Sequence, residues 1–185
     1  MTEITTRRAF LLSAATAPAA ASLSTRDPGM MTSFDAQTVA DRAAIIDVVN
    51  RIGTGADWRE WEACRACFAD RVRVDYTSLW GGEASTTGAD ELVAEWARTF
   101  AGFDATQHAI TSHDVRVDGG AAVCRSHFVA THRIGTELWR LGGHYRHELA
   151  RAGAAWKVTA MTMTWTWEEG DRGLIQRANA RGGQG

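Results

Sequence analysis

The sequence is short of several residue types, and each shortage excludes a class of protein. Its 185 residues include three Cys, too few for a closed disulfide framework. A single Lys, Lys157, stands against 19 Arg, and the formal net charge of −2 argues against a general nucleic-acid binder. No apolar run approaches the ~20 residues of a membrane-spanning helix, so we expect no membrane association of the mature protein. Eight Trp in a chain of ordinary apolar content indicate a compact domain with an aromatic core.

Residues 1–30 differ from the rest of the chain. Arg7 and Arg8 precede a short apolar and Ala-rich stretch, 13–22, which is the arrangement of an export signal and is similar to a bacterial twin-arginine leader. The alternative is a mis-assigned start, with translation beginning at Met30 or the Met that follows it. We expect a periplasmic or secreted protein if residue 1 is the true start, and a cytoplasmic one otherwise.

Hydrophobic periodicity predicts three helices in the first half of the folded domain, which we place at residues 31–170. The first spans 35 to about 52, where Gly53 and Gly55 end or kink it. The third begins near Thr87 with a sequence like a capping box. The second carries apolar side chains at helical spacing: Trp58, Trp61, Cys64 and Phe68.

Strict alternation of apolar and polar residues predicts strands in the second half. A first strand near 72–79 includes Tyr76, and a loop from Trp80 to Thr86 follows it. Four longer strands are separated by short Gly-containing gaps typical of hairpins: 107–117, 122–134, 137–149 and 155–166. Helices followed by a long curved sheet indicate an α+β fold in which the sheet wraps a helix and encloses a pocket. The tail, 171–185, is expected to be partly disordered with a short helix.

Because alternate side chains of a strand point to opposite faces, the odd or even position of each histidine predicts the face on which it lies. His132 shares a face with apolar residues and is predicted to face the core or pocket, and His147 shares a face with Trp139. His144 lies on the opposite face from His147, so a shared metal is not expected. Parity leaves the orientation of His108 open, because a bulge in its strand would change it.

Five short segments of the chain carry a family resemblance: Asp41–Asp47, Ala56–Trp61, Cys67–Val72, Thr106–His108 and Ala155–Val158. Together they resemble the SnoaL-like branch of the nuclear-transport-factor-2-like (NTF2-like) superfamily. The pattern is closest to scytalone dehydratase and more distantly similar to hexachlorocyclohexane dehydrochlorinase, and it covers about residues 36–170. The resemblance implies a cone-shaped fold, with three helices packed on a strongly curved, mixed or antiparallel sheet.

The resemblance also implies site residues. Both enzymes pair an Asp at the end of the first helix with a His that opens a sheet strand, and these positions correspond to Asp57 and His108. Scytalone dehydratase adds a Tyr in the first strand and a second pocket His, which correspond to Tyr76 and His132. A His held by a carboxylate can take a proton from carbon near neutral pH.

Departures from the family pattern concern the groups that hold the substrate. Ala56 replaces a second Tyr of the dehydratase, while Gly143 and Tyr145 replace its later Ser and Asn. We therefore expect Tyr145 to contact substrate, and Trp80, Trp165 and Trp167 are candidates to line the pocket or to cover its mouth. The other Trp are expected mostly in the core.

The resemblance implies a cofactor-independent lyase that eliminates water or halide from a small, largely apolar cyclic carbonyl or hydroxy compound. The alternatives are a non-catalytic ligand-binding domain and an isomerase of the ketosteroid-isomerase or polyketide-cyclase type. No metal site is expected, since the C-x-x-C of Cys64 and Cys67 lies on a helix without a second pair. We expect a homodimer or homotrimer whose partner is a small-molecule substrate or ligand.

Overall fold

The computed structural model describes residues 36–183, so the leader and start-codon hypotheses for residues 1–30 lie outside the described residues. The helices are α1 (Ala36–Trp58), α2 (Trp61–Arg65), α3 (Thr77–Trp80), α4 (Ala89–Ala101) and α5 (Leu174–Gly182). The strands are β1 (Phe68–Asp75), β2 (Ser85–Gly88), β3 (Ala105–Asp118), β4 (Ala121–Ile134), β5 (Glu137–Ala152) and β6 (Ala155–Gly170).

The six strands form one curved sheet in the order β2-β1-β6-β5-β4-β3. Only β1 and β6 run parallel, and the other neighbours are antiparallel. The predicted α+β class and mixed sheet are therefore confirmed. The four predicted hairpin strands are present, and each extends beyond its predicted bounds by up to four residues.

The first helix was predicted to end or kink at Gly53 and Gly55, and it does not end there. The helix continues through both glycines to Trp58, and both are buried. A Cβ on Gly53 would lie 3.0 Å from Cδ1 of Ile110 and 3.1 Å from Cβ of His108. Gly53 therefore allows α1 to pack closely against β3, because no side chain at this position separates the two elements.

The second predicted helix is also largely wrong. Only Trp61–Arg65 is helical, and Phe68 instead begins β1. Trp58 is 70% exposed rather than in the core. The chain leaves α1 through Arg59, which has a left-handed φ of 63°, and this sharp turn separates Trp58 from the apolar face that the periodicity assigned to it.

The segment after β1 differs from the predicted strand and loop. β1 ends at Asp75, and Tyr76 caps the short helix α3, whose Thr77 bonds to the Asp75 carboxylate. The last two residues of the predicted loop, Ser85 and Thr86, begin the edge strand β2. At the start of α4 the capping carboxylate is Glu91, which accepts hydrogen bonds from Gly88 N and Thr87 Oγ1.

The C-terminal segment belongs to the same core as the sheet. Leu174 and Ala178 on α5 have no exposed surface and pack in the main apolar cluster. Their spacing of four residues puts both on one helix face. The tail predicted for residues 171–185 therefore supplies a helix that closes one side of the domain, and residues 184–185 lie outside the described part.

Candidate active site

A cavity of about 420 Å³ lies between the concave face of the sheet and the helices. Its wall is largely apolar and aromatic, with contributions from Phe100, Phe128 and Met161. Five of the six predicted site residues line it: Tyr76, Trp80, His108, His132 and Tyr145. Trp165 and Trp167 are not among its lining residues, so their predicted place in the pocket wall is not what the structure shows.

His108 points inward because β3 contains a bulge. The register against β4 shifts between Thr111 and Asp114, and Ser112 has a left-handed φ of 56°. The extra residue puts His108 on the same face as His113 and Val115, although their numbers differ in parity. The orientation that parity left open is thereby decided.

Asp57 lies behind His108, not in the cavity wall itself. Its Oδ1 is 2.7 Å from Nδ1 of His108, and its Oδ2 accepts the His108 backbone N–H at 2.6 Å. Thr106 Oγ1 donates to Asp57 Oδ1 at 2.9 Å. The two side chains of the pair are only 12% and 10% exposed, so little water competes for these bonds.

The hydrogen bonds of Asp57 fix the proton position on His108. Burial raises the pKa of Asp57, but the bonds from His108 and Thr106 outweigh burial and hold the pKa below its ordinary value. An ionised carboxylate only accepts hydrogen bonds, so Nδ1 of His108 carries the hydrogen. In the neutral ring the lone pair is then on Nε2, which has no hydrogen-bond partner among the described residues. The ring is thus prepared to accept a proton from a ligand in the cavity.

Arg59 supports this pair and was missed by the sequence analysis. Its guanidinium donates to the carbonyl oxygens of Ala56 and Phe100 at 2.7 and 2.9 Å and to Thr106 Oγ1 at 3.0 Å. Phe100 in turn lies nearly parallel to the His108 ring at a centroid distance of 5.7 Å. One side chain therefore joins the end of α1, the end of α4 and the start of β3. The only indication in the sequence that Arg59 belongs to the site was its position two residues after Asp57.

His132 lies beside His108 in an aromatic environment. The two rings are perpendicular, with centroids 5.6 Å apart, and His132 stacks on Trp139 at 4.9 Å. Burial, followed by the charge of His108, lowers the pKa of His132 to about 3. His132 is consequently neutral near pH 7 and suited to hydrogen bonding rather than to proton donation from a cationic ring.

The two tyrosines reach the cavity from different elements, Tyr76 from the start of α3 and Tyr145 from β5. The hydroxyl of Tyr76 has one weak contact, with Met161 Sδ at 3.9 Å, and Tyr145 stacks on Phe128 at 4.3 Å. Burial raises the pKa of both phenols well above the ordinary value, so both remain protonated donors. Trp80, at the outer part of the wall, is 47% exposed.

The rim includes polar residues that the sequence analysis did not select. Glu95 and Thr99 from α4, and Gln176 and Asn179 from α5, line the cavity. The spacing of Leu174 and Ala178 predicts a short helix that includes Gln176. The packing of this helix against α4, however, could not be predicted from the sequence.

Within residues 36–183, no group of three His, Cys, Asp or Glu side chains could hold a metal ion. No helix in the same range is long and apolar enough to cross a membrane.

The profile of the SnoaL-like domain family matches residues 37–162. The chain belongs to this family. The predicted membership of the SnoaL-like family is thereby confirmed.

Solved structures of the same fold support the assignment. A Kribbella flavida protein, Kfla4162, is 28% identical with a TM-score of 0.71, over 75% of this chain and 98% of the other. A proposed scytalone dehydratase of Novosphingobium aromaticivorans is 20% identical (TM-score 0.61, 72% and 89% covered). A type 2 hexachlorocyclohexane dehydrochlorinase, LinA, is 17% identical (TM-score 0.62, 73% and 91% covered). No curated protein matches the chain.

Proposed function

We propose that this protein is a cofactor-independent lyase that removes water or halide from a small, largely apolar cyclic compound with a carbonyl group. The observation that carries the proposal is the hydrogen bond between Asp57 and His108, which leaves Nε2 of His108 as a base beside an apolar cavity. The dehydratase-type names among the structural neighbours agree with this chemistry.

In the proposed reaction, Nε2 of His108 takes a proton from the carbon next to the carbonyl. The C–H electrons form the enolate, whose oxygen accepts hydrogen bonds from Tyr76 and neutral His132. The enolate then re-forms the carbonyl as the bond from the β-carbon to the leaving group breaks. For a β-hydroxy ketone, the imidazolium returns its proton to the departing hydroxyl, so the products are an enone and water.

Asp57 has a positioning role in this scheme. Its charge stabilises the imidazolium that forms on His108, and its bonds to both Nδ1 and the backbone N–H hold the ring in one orientation. The low exposure of the pair strengthens the electrostatic interaction, because little water screens it.

The test uses 3-hydroxycyclohexanone and its aryl-substituted derivatives, with enone formation followed by ultraviolet absorbance. We expect His108→Ala to lower kcat/KM by about 10²–10⁴-fold. The matched control is His144→Ala, an exposed histidine of β5, which should leave turnover unchanged. Full turnover by His108→Ala would rule out the proposed base.

A second measurement separates the alternatives. Each compound is incubated with the protein in D₂O, and exchange of the α-hydrogen is followed by NMR. Exchange without elimination would replace the lyase by an isomerase that uses the same proton transfer. Binding without exchange or elimination would instead indicate a ligand-binding domain.

A further inference from the structure

Three polar side chains lie together on the inner face of the sheet, several residues along the strands from His108; Ser126 and His147 are buried, and His113 is half-buried. They lie on three neighbouring strands: His113 on β3, Ser126 on β4 and His147 on β5. Ser126 pairs with Tyr145, two residues from His147 on the same face, and the bulge of β3 places His113 opposite Ser126. Side chains in such diagonal positions are neighbours.

Each member of this cluster has an unsatisfied polar atom. His113 Nε2, Ser126 Oγ and His147 Nδ1 are inaccessible to solvent and have no hydrogen-bond partner among residues 36–183. Buried polar groups are costly unless they are paired. An apolar replacement at any of these positions would avoid that cost, so three such residues together indicate a use for polarity here.

His147 is the member that reaches the cavity. Its side chain is 1% exposed and contributes to the cavity wall. Its Nε2 is not among the inaccessible unpaired atoms and has no hydrogen bond within the described chain, so this nitrogen is the one open to a ligand. Burial, with a further effect of His113, lowers the pKa of His147 to about 3. The neutral ring has one donor and one acceptor nitrogen.

The distance along the sheet separates this cluster from the Asp57–His108 pair. His108 pairs with Ala130, which pairs with Leu141 on β5. His147 is six residues farther along β5, about 20 Å of strand at ~3.3 Å per residue, and the sheet's curvature brings the two ends closer through space. The wall between them is formed by apolar and aromatic groups, including Phe128, Leu141 and Met163.

We propose that His147, which lies next to Ser126 and His113, is a second polar subsite that binds a hydroxyl or carbonyl oxygen at the far end of the ligand. The ligand class is then an elongated compound with an apolar ring system and an oxygen function at each end. The inference rests on the proposed function only in placing the substrate in this cavity.

The test compares phenols that differ by one hydroxyl. Binding of 2-naphthol, 2,6-dihydroxynaphthalene, 4-hydroxybiphenyl and 4,4′-dihydroxybiphenyl is measured by isothermal titration calorimetry. We expect at least one diol to bind about 3- to 10-fold more tightly than its monophenol, the effect of one hydrogen bond between neutral groups. His147→Phe should abolish this preference, while His144→Phe, the same change at an exposed position of β5, should retain it.

Absence of a preference in the unmodified protein, absence of binding by every probe, or a preference that persists in His147→Phe would each overturn the proposal. If His147→Phe does not fold, ¹⁵N NMR of histidine-labelled protein replaces it. A diol must then shift the His147 ring nitrogens and its monophenol must not, and any other result overturns the subsite. Because binding is measured without turnover, failure here is distinguishable from failure of His108 as the base.

Discussion

The Nδ1 atom of His108 lies 2.7 Å from Oδ1 of Asp57, although 51 positions separate these residues in the chain. Asp57 occupies the last turn of α1, and His108 lies near the start of β3. Gly53 lets the helix approach the strand closely enough for the bond to form. The geometry thus depends on a residue with no side chain of its own.

Replacement of Asp57 by Asn tests the role of the carboxylate. The His108 backbone N–H is an obligatory donor and needs the amide oxygen, so the NH₂ group faces Nδ1 and cannot accept its hydrogen. We therefore expect the ring to change tautomer and lose its basic Nε2. Turnover should fall by about 10²–10⁴-fold. Histidine ¹⁵N NMR reports the tautomer directly. An unchanged tautomer together with full turnover would contradict the prediction.

Replacement of Tyr76 by Phe should separate activity from stability. The hydroxyl has one weak contact, 3.9 Å from Met161 Sδ, so its loss should change the free energy of unfolding by less than about 0.5 kcal/mol. If the hydroxyl binds the developing enolate, kcat should fall by about 10²-fold. Urea denaturation and steady-state kinetics measure the two effects. Normal kcat would remove Tyr76 from the proposed mechanism.

Two substitutions of Arg59 separate the effect of its hydrogen bonds on activity from the effect of its left-handed backbone conformation on stability. Both Arg59→Ala and Arg59→Gly remove the bonds to Ala56, Thr106 and Phe100, so both should lower kcat/KM through a less ordered His108. Only Gly tolerates the φ of 63° without strain. We expect Arg59→Gly to be more stable than Arg59→Ala by about 1 kcal/mol.

Thermal and urea denaturation compare these two proteins with Arg116→Ala, a control at an exposed arginine of β3. The control should behave like the unmodified protein. Equal stability of the Gly and Ala proteins would show that the left-handed conformation carries no cost.

The buried histidines predict a loss of stability in mild acid. Burial lowers the pKa of His132 and His147 to about 3, while in the unfolded chain they titrate near 6.5. Stability is therefore complete above about pH 6.5 and falls as the pH decreases toward 3, since the unfolded state binds more protons. Each histidine contributes a slope of about 1.4 kcal/mol per pH unit.

Urea denaturation between about pH 6.5 and 5 measures this slope before most carboxylates titrate. His147→Phe should remove one histidine's share of it, whereas His144→Phe, at an exposed position, should leave it unchanged. A flat stability curve over this range would show that neither buried ring resists protonation.

Local pattern predicted the strands well and the helix ends poorly. Alternation over many residues marks long strands such as β4 and β5 because each has one buried face. The ends of α1 and α2 were wrong for a different reason. Gly53 normally weakens a helix, but here its lack of a side chain allows packing against β3, and this tertiary contact overrides the local preference.

The sequence by itself determined the fold class, the family and the main candidate residues, because periodicity and motif order are properties of neighbouring positions. Asp57 and His108 could be named from the chain, but their hydrogen bond could not be read from it. The orientation of His108 depends on the bulge at Ser112, the anchoring by Arg59 joins three distant segments, and the polar cluster around His147 forms only when β3, β4 and β5 pair. Contacts between elements far apart in the chain depend on register and packing, which only the tertiary structure specifies.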